Sequence, residues 1–456
     1  VKIRPAGDRA LLVELGDVPA AELHGAAAAA RACEGVIACI AGHSSLLVVY
    51  TSRPDPAQIE RALERAPGKI AAPRRHRLEV SFGDEYGLDL AEFLARTRMD
   101  RDQFLRRIAE LRLVVRFIGF RGGFGYLDGW PAEWSMPRRE TSRARVARGS
   151  FAIAGAVAGF YPIDSPGGWN VLGRTAAALE HALAPGDEIE IEPTVDLLPP
   201  AAGEAGARMS KTPPASPLRM VHGVLARIVG PPDWSNVEKG VPAGGPFDRE
   251  AAEWANRAAG NPLHAPVLEC ALVGPRLVAE ENLVLSWFGA EAEIRCDGEI
   301  VDQPAQFVVK KGMEVNVGRL SGGARGYLAA GPRRGEVRPL ERDDRFVIRC
   351  AAGPHQSALR EMSCEVTPQL DRVGVRLRLV FPLLKGSPAD LPSCGMTFGT
   401  VQLHPDGSAV VMGPDHPVTG GYLQPMTVMS TELWKIAQLG PGDRIRFVAQ
   451  SLAPYT

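Results

Sequence analysis

Apolar positions in the first 75 residues fall into short runs that switch between strand-like and helical spacing. Residues 10–15, 35–40 and 44–50 are compact apolar runs of strand length, whereas the Ala-rich segment 20–33 and residues 56–66 read as helices. The last is well marked. Asp55 is placed to cap it, Pro56 suits its first turn, and Ile59, Ala62, Leu63 and Ala66 recur at the spacing of one buried face. These elements predict a small α+β unit. Two more helices are expected over 89–98 and 100–113, the second opened by Asp100 and Gln103 as a capping box and carrying the stripe Phe104, Leu105, Ile108 and Leu111. From Val114 onward the pattern becomes short strands punctuated by Gly and Pro, which predicts mainly β architecture.

A recurring turn helps to count the units. Pro185-Gly186-Asp187 and Pro441-Gly442-Asp443 each lead into an alternating strand, and Lys311-Gly312 is a weaker third copy. The glycines stand 126 (312−186) and 130 (442−312) residues apart, intervals that suit three β units of similar size. Residues 197–218 are dense in Pro, Ala, Gly and Ser and read as a linker. The expected division is therefore 1–75 (small α+β), 76–200 (β), 201–217 (linker), 218–345 (β) and 346–456 (β).

Composition narrows the partners. Across 456 residues, 52 Lys and Arg face 53 Asp and Glu, so no charge excess exists to hold nucleic acid or a membrane surface. The longest weakly polar run, 151–163, is interrupted by Gly155, Gly159 and Pro162 and is too short to cross a bilayer. The first residues lack a secretion-signal pattern, and a cytoplasmic location is the expectation. Seven scattered Cys without a Cys-x-x-Cys, and nine His outside metal-ligand spacing, predict reduced core thiols and no metal site. None of the eight Lys completes a P-loop, since Gly68-Lys69 is followed by Ile70. No Lys lies between two Met, so biotin, if used, is carried by another protein.

Candidate chemistry lies in Gly-rich turns furnished with Arg, Asp or Asn. In Gly119-Phe120-Arg121-Gly122-Gly123-Phe124-Gly125, backbone N–H groups can approach an anion beside Arg121, and the competing reading is a tight strand connection whose aromatics fill a barrel. Arg138 and Arg139, then Ser165, Gly167 and Gly168, then Arg174 and Thr175, suit an acidic small substrate, because a guanidinium fork matches two carboxylate oxygens. Solvated surface Arg is the competing reading. Asp248 stands at a helix cap, and Asn256 is a mid-helix amide among alanines that needs partners if buried. Asp415 with Thr419-Gly420-Gly421-Tyr422 reads as a β-turn segment.

Several of these segments resemble known families. Gly119-Phe120 through Leu127, Pro137-Arg138-Arg139, 149–155, Tyr161-Pro162 and Ser165 to Trp169 with Gly173-Arg174-Thr175 are similar to allophanate hydrolase subunit 1, the family of the 5-oxoprolinase B-type subunit and the sporulation kinase inhibitor. Gly240-Val241-Pro242 with Asp248, Ala255-Asn256, Gly260-Asn261, Asp371-Arg372, 399–402 and Thr419-Gly420-Gly421-Tyr422 resemble allophanate hydrolase subunit 2, the family of the 5-oxoprolinase C-type subunit. The resemblance implies a natural fusion of the two, with a cyclophilin-like β barrel in the first half and two in the second. It further implies a component that opens 5-oxo-L-proline at the expense of ATP together with a separate 5-oxoprolinase A-type subunit. The alternatives are a carboxyltransferase-like component that takes its carboxyl group from biotin on a partner carboxylase, as in urea carboxylase, and a diverged binding or regulatory protein. On the enzyme reading Arg138, Arg139 and Arg174 would clamp substrate or phosphate, with Ser165, Gly167, Gly168, Thr175, Thr419, Gly420 and Gly421 around them, and Asp248 with Asn256 would orient the amide. The chain departs from the family pattern at Gly122, Ser142, Ala147 and Val418, and across 226–233.

Overall fold

The computed structural model describes residues 1–65, 73–139, 141–180, 182–196, 217–223, 225–355, 359–380 and 391–450. The expected linker lies almost wholly outside them, as does Ala66. Mainly β architecture is what the chain adopts, with few helices.

The N-terminal sheet is antiparallel, in the order Lys2–Pro5, Ala10–Glu14, Ser45–Tyr50, Val36–Ala41. Both of its faces are buried, which accounts for its near-continuous apolar strands. Leu46, Val48 and Tyr50 join helices Ala20–Arg31 and Pro56–Glu64 in one core cluster. Leu47 and Val49, one residue out of phase, pack instead with Val237, Cys394 and Val418 of the second half. Asp55 caps its helix, accepting the Ala57 N–H at 3.0 Å. Asp100 and Gln103 form the complete capping box of Arg101–Ala109. That helix ends earlier than expected, because Leu113 already opens a strand.

Two seven-stranded barrels close. The first runs Val157–Phe160, Gly125–Asp128, Leu113–Ile118, Glu188–Thr194, Arg75–Ser81, Asn170–Arg174, Ser150–Ala154. The second begins at Val347–Ala352 and ends at Arg444–Ala449. Each is sealed by the same device, a parallel pairing of its first strand with its last. The repeated turns feed these closing strands: Gly186 and Gly442 adopt φ of 86° and 87°, and Gly312 adopts 90°, a region closed to most other residues.

Between the barrels the expected third one stays open. Residues 218–331 form an eight-stranded sheet built on the long hairpin Leu283–Cys296 with Glu314–Gly331. Its edges are Leu218–His222 and Ala226–Val229, with no ladder between them among the described residues. Both edge strands are mostly exposed, so no buried face holds the seam in register. The sheet instead gains cover from helix Arg249–Ala258, whose Ala251, Ala252, Ala255 and Ala258 pack on Phe288, Tyr327 and Ala329.

All seven cysteines are free, and six are buried. Burial pushes the thiols of Cys364 and Cys394 up to about 12, which leaves them unreactive. Among the described residues no helix is long and apolar enough to cross a membrane.

Candidate functional site

The two halves meet along a seam that places Gly-rich turns of one against Gly-rich turns of the other. Phe120 sits in the left-handed region at φ 58°, a conformation that costs a bulky residue about 1–3 kcal/mol unless its surroundings impose it. Its N–H donates to Thr419 Oγ1 at 2.8 Å, and Thr419 is fully buried. A Cβ at Gly119 would collide with that same hydroxyl, so only glycine permits the approach. On the other side, the Gly123 N–H donates to Lys239 O at 3.3 Å, and a Cβ at Gly240 would stand 2.5 Å from Arg121 O. The 119–125 loop is thereby held by two separate motifs of the second half.

Cations gather beside this contact. Arg138 lies over the Tyr422 ring at 5.0 Å, with its guanidinium against the Gly421 backbone. His404 stacks on Tyr422 at 4.6 Å. Burial pushes the His404 imidazole down to about 4, Asp406 opposes that shift, and Arg376 and Arg138 reinforce it. Its Nε2 is buried without a hydrogen-bond partner among the described residues. Gly168 brings the first half close: a Cβ there would lie 2.9 Å from Ser142 Oγ and 3.6 Å from the Tyr422 hydroxyl. The Arg139 N–H donates to Gly168 O at 2.9 Å, and its guanidinium donates to Asp89 at 2.6 Å. Arg143 donates to both Asp89 oxygens at 2.8 Å. Asp89 is buried and also accepts the Val171 N–H, so one carboxylate compensates two guanidiniums. Burial lowers the Arg121 guanidinium, with Asp371 opposing, and its Nε likewise finds no acceptor among the described residues. A buried guanidinium N–H of Arg121 without an acceptor among the described residues, beside clustered arginines, suits an acidic ligand.

Of the residues singled out in the sequence, the structure brings Arg138, Arg139, Gly167, Gly168, Thr419, Gly420 and Gly421 to this seam. Gly167 is there for packing, since a Cβ would collide with the Tyr161 hydroxyl. Gly420 pairs with Cys394 in a two-stranded ladder. Ser165 is buried in the short pairing of Ser165–Gly167 with Arg143–Val146. Arg174 donates to Arg148 O at 2.9 Å, and Thr175 Oγ1 accepts the Ala177 N–H, so both work locally within the first barrel.

Asp248 and Asn256 do not join the seam cluster. Asp248 caps its helix through the Ala251 N–H and receives Arg342 at 3.0 Å and Gln438 Nε2 at 2.8 Å. It is fully buried in a network that ties the open sheet to the second barrel. The Tyr327 hydroxyl accepts the Asp248 N–H and donates to Glu269, which accepts Arg372 at 2.7 Å, and Arg372 also grips Asp415. Burial works against the charge of Arg372, yet Asp415 and Glu269 raise its pKa overall. Asn256 donates to Leu263 O and Ala265 O and accepts from Asn261, which engages both ends of its amide. Sequence reading missed Asp89, Tyr422 as a ring platform, and His404. Asp89 carried a weak signal as a helix-start acid, and His404 carried none.

Fold and seam together define a paired-barrel molecule whose two modules share one polypeptide and build a cationic junction. Family models agree on both modules: carboxyltransferase domain, subdomain C and D, matches residues 1–182, and carboxyltransferase domain, subdomain A and B, matches 239–339 and 333–449. The chain belongs to this carboxyltransferase-domain family, as a fusion of the allophanate hydrolase subunit 1 and subunit 2 types. It is 30% identical over 200 residues to the B-type subunit of 5-oxoprolinase from Bacillus subtilis (strain 168), covering 39% of this chain and 83% of that protein. It is 26% identical over 264 residues to the C-type subunit of 5-oxoprolinase from Escherichia coli (strain K12), covering 47% and 85%. The crystal structure of TTHA0988 superposes with a TM-score of 0.80 at 25% identity, covering 97% of this chain and 100% of that one.

Proposed function

We propose that the chain combines the B-type and C-type components of an ATP-dependent 5-oxoprolinase and acts with a separate A-type subunit. The observation that carries the reading is the seam itself: motifs similar to the B-type and to the C-type subunit interlock through Phe120 and Thr419 beside a cluster of guanidiniums. The lactam of 5-oxoproline resists attack because resonance withdraws electrophilicity from its carbonyl. A component for opening it needs fixed cations and donors, and Arg138, held on Tyr422 and the Gly421 backbone, supplies a positioned charge for the substrate carboxylate or a phosphoryl group. Arg139 shares the Asp89 carboxylate with Arg143 and positions Gly168 through its backbone, so it acts through the turn. ATP enters with the A-type subunit. The test mixes this chain with such a partner and follows ATP hydrolysis and glutamate formation with and without 5-oxoproline. Coupled turnover that requires both proteins is expected, and its absence with every A-type subunit tried contradicts the reading.

The family's description favours a second reading, a carboxyltransferase component served by biotin on a partner carboxylase. It requires carboxybiotin to decay when this chain and an amide or urea are added, a measurement that separates the two.

A further inference from the structure

A cavity of about 170 Å³ lies away from the Arg138 cluster, between helix Arg249–Ala258, residues 230–234 and residues 263–265. We propose that it is a binding site for a small apolar α-amino acid in its zwitterionic form. Its body is apolar and rigid. Pro231, Pro232 and Pro246 offer no N–H groups, and Trp234 and Leu263 add flat and branched walls. The 230–234 loop is braced from behind, where the Asp233 N–H donates to Ala243 O at 2.8 Å and a Cβ at Gly245 would stand 2.7 Å from Pro232. Asn256, at the cavity wall, has its amide committed to Leu263 O, Ala265 O and Asn261, so it fixes the opposite wall.

The mouth carries charge of both signs. Arg249 donates to Glu253 at 2.6 Å one helical turn on, and His264 Nδ1 stands 3.6 Å from the same carboxylate oxygen. A cation and an anion side by side over an apolar slot match the paired ammonium and carboxylate of an amino acid, laid head to tail across them. A simple acid meets Glu253 repulsively, and a simple amine meets Arg249 likewise. The volume sets the size, because drug-sized ligands occupy about 300–1,000 Å³, so a nucleotide is too large and a proline- or valine-sized body fits. This site is independent of the lactam-opening reading, and its test uses neither ATP nor a partner protein.

The experiment titrates the full chain with L-proline and L-valine by calorimetry and ligand-observed NMR, with L-prolinamide, which lacks the carboxylate and so offers nothing to the Arg138 seam, as the comparison. Saturable binding at about 1 mM or tighter is expected for the zwitterions, and weaker binding for L-prolinamide. Ala252→Leu, which fills the cavity, abolishes it. Glu253→Gln and Arg249→Gln, at solvent-accessible positions that spare the fold, each weaken it by up to about fivefold, the range of exposed charge contacts. Should Ala252→Leu fail to fold, these two variants carry the test. No binding up to about 20 mM, equal affinity for L-prolinamide, or indifference to both charge variants overturns the proposal.

Discussion

Replacing Thr419 with Val tests the interlock of the two halves at a single atom. The substitution keeps the shape of the side chain but removes the acceptor of the Phe120 N–H, a bond of 2.8 Å between residues 299 positions apart. The hydroxyl is fully buried, so water does not replace it without opening the seam. Leaving a buried N–H unpaired costs about 1–3 kcal/mol. The same contact holds Phe120 at φ 58°, and without it the loop is free to relax toward ordinary backbone angles. That cost falls on local opening, so amide exchange in a peptide spanning 117–127 should speed up by about 5- to 150-fold. Exchange in the closing strand Arg444–Ala449 should hardly change. Hydrogen exchange followed by mass spectrometry reads both at once. Unchanged protection of the 117–127 peptide in Thr419→Val would refute the claim that the second half dictates this loop.

Further outcomes follow from the same contacts. Asp89→Asn leaves Arg139 and Arg143 without their shared charge and should destabilise the protein by about 3–5 kcal/mol in urea unfolding, whereas a loss under about 1 kcal/mol would mean the pairs are solvated. His404 has a folded pKa near 4, below its unfolded value near 6.5, so the unfolded chain binds the extra proton first. The stability this gives is fully present above about pH 6.5 and is lost as pH falls towards 4, by about 3 kcal/mol in all. Between pH 7 and 4, His404→Phe should lose that much less stability than the parent, and parallel pH profiles would contradict it. Asn256→Leu orphans Leu263 O and Ala265 O and should lower the thermal midpoint while leaving the turnover of the folded protein intact, and a selective loss of turnover would restore a catalytic role.

Local features of the fold were legible because they depend on neighbours in sequence. The Asp55 cap, the Asp100–Gln103 box and the glycine turns at 186 and 442 each encode a backbone conformation within a few residues. Whether a sheet closes is a question about distant edges. The turn at Gly312 looks like its counterparts at 186 and 442, yet it feeds an 18-residue strand in an open sheet, because the mostly exposed edge strands Leu218–His222 and Ala226–Val229 and the covering helix Arg249–Ala258 decide the outcome. The site divides in the same way. Arg138 and the Thr419 turn were visible as a cation and a tight turn, but their meeting arises from packing between halves. Asp248 was legible as a helix cap and Asn256 as an amide that needs partners if buried, and the chain supplies both the capped N–H and those partners itself. Asp89 and His404 gained their roles from three-dimensional neighbours: a pair of arginines for one and an aromatic ring for the other.

On the proposed function, the Arg138 seam serves lactam opening. The 5-oxoproline-dependent ATPase of the reconstituted pair, measured for the parent chain and for Arg138→Ala, tests that role. Activity that needs both proteins and falls by about 100-fold in the variant, while the variant stays folded at the assay temperature, is the predicted result. Full coupled activity in Arg138→Ala, or ATP hydrolysis indifferent to 5-oxoproline, would contradict it.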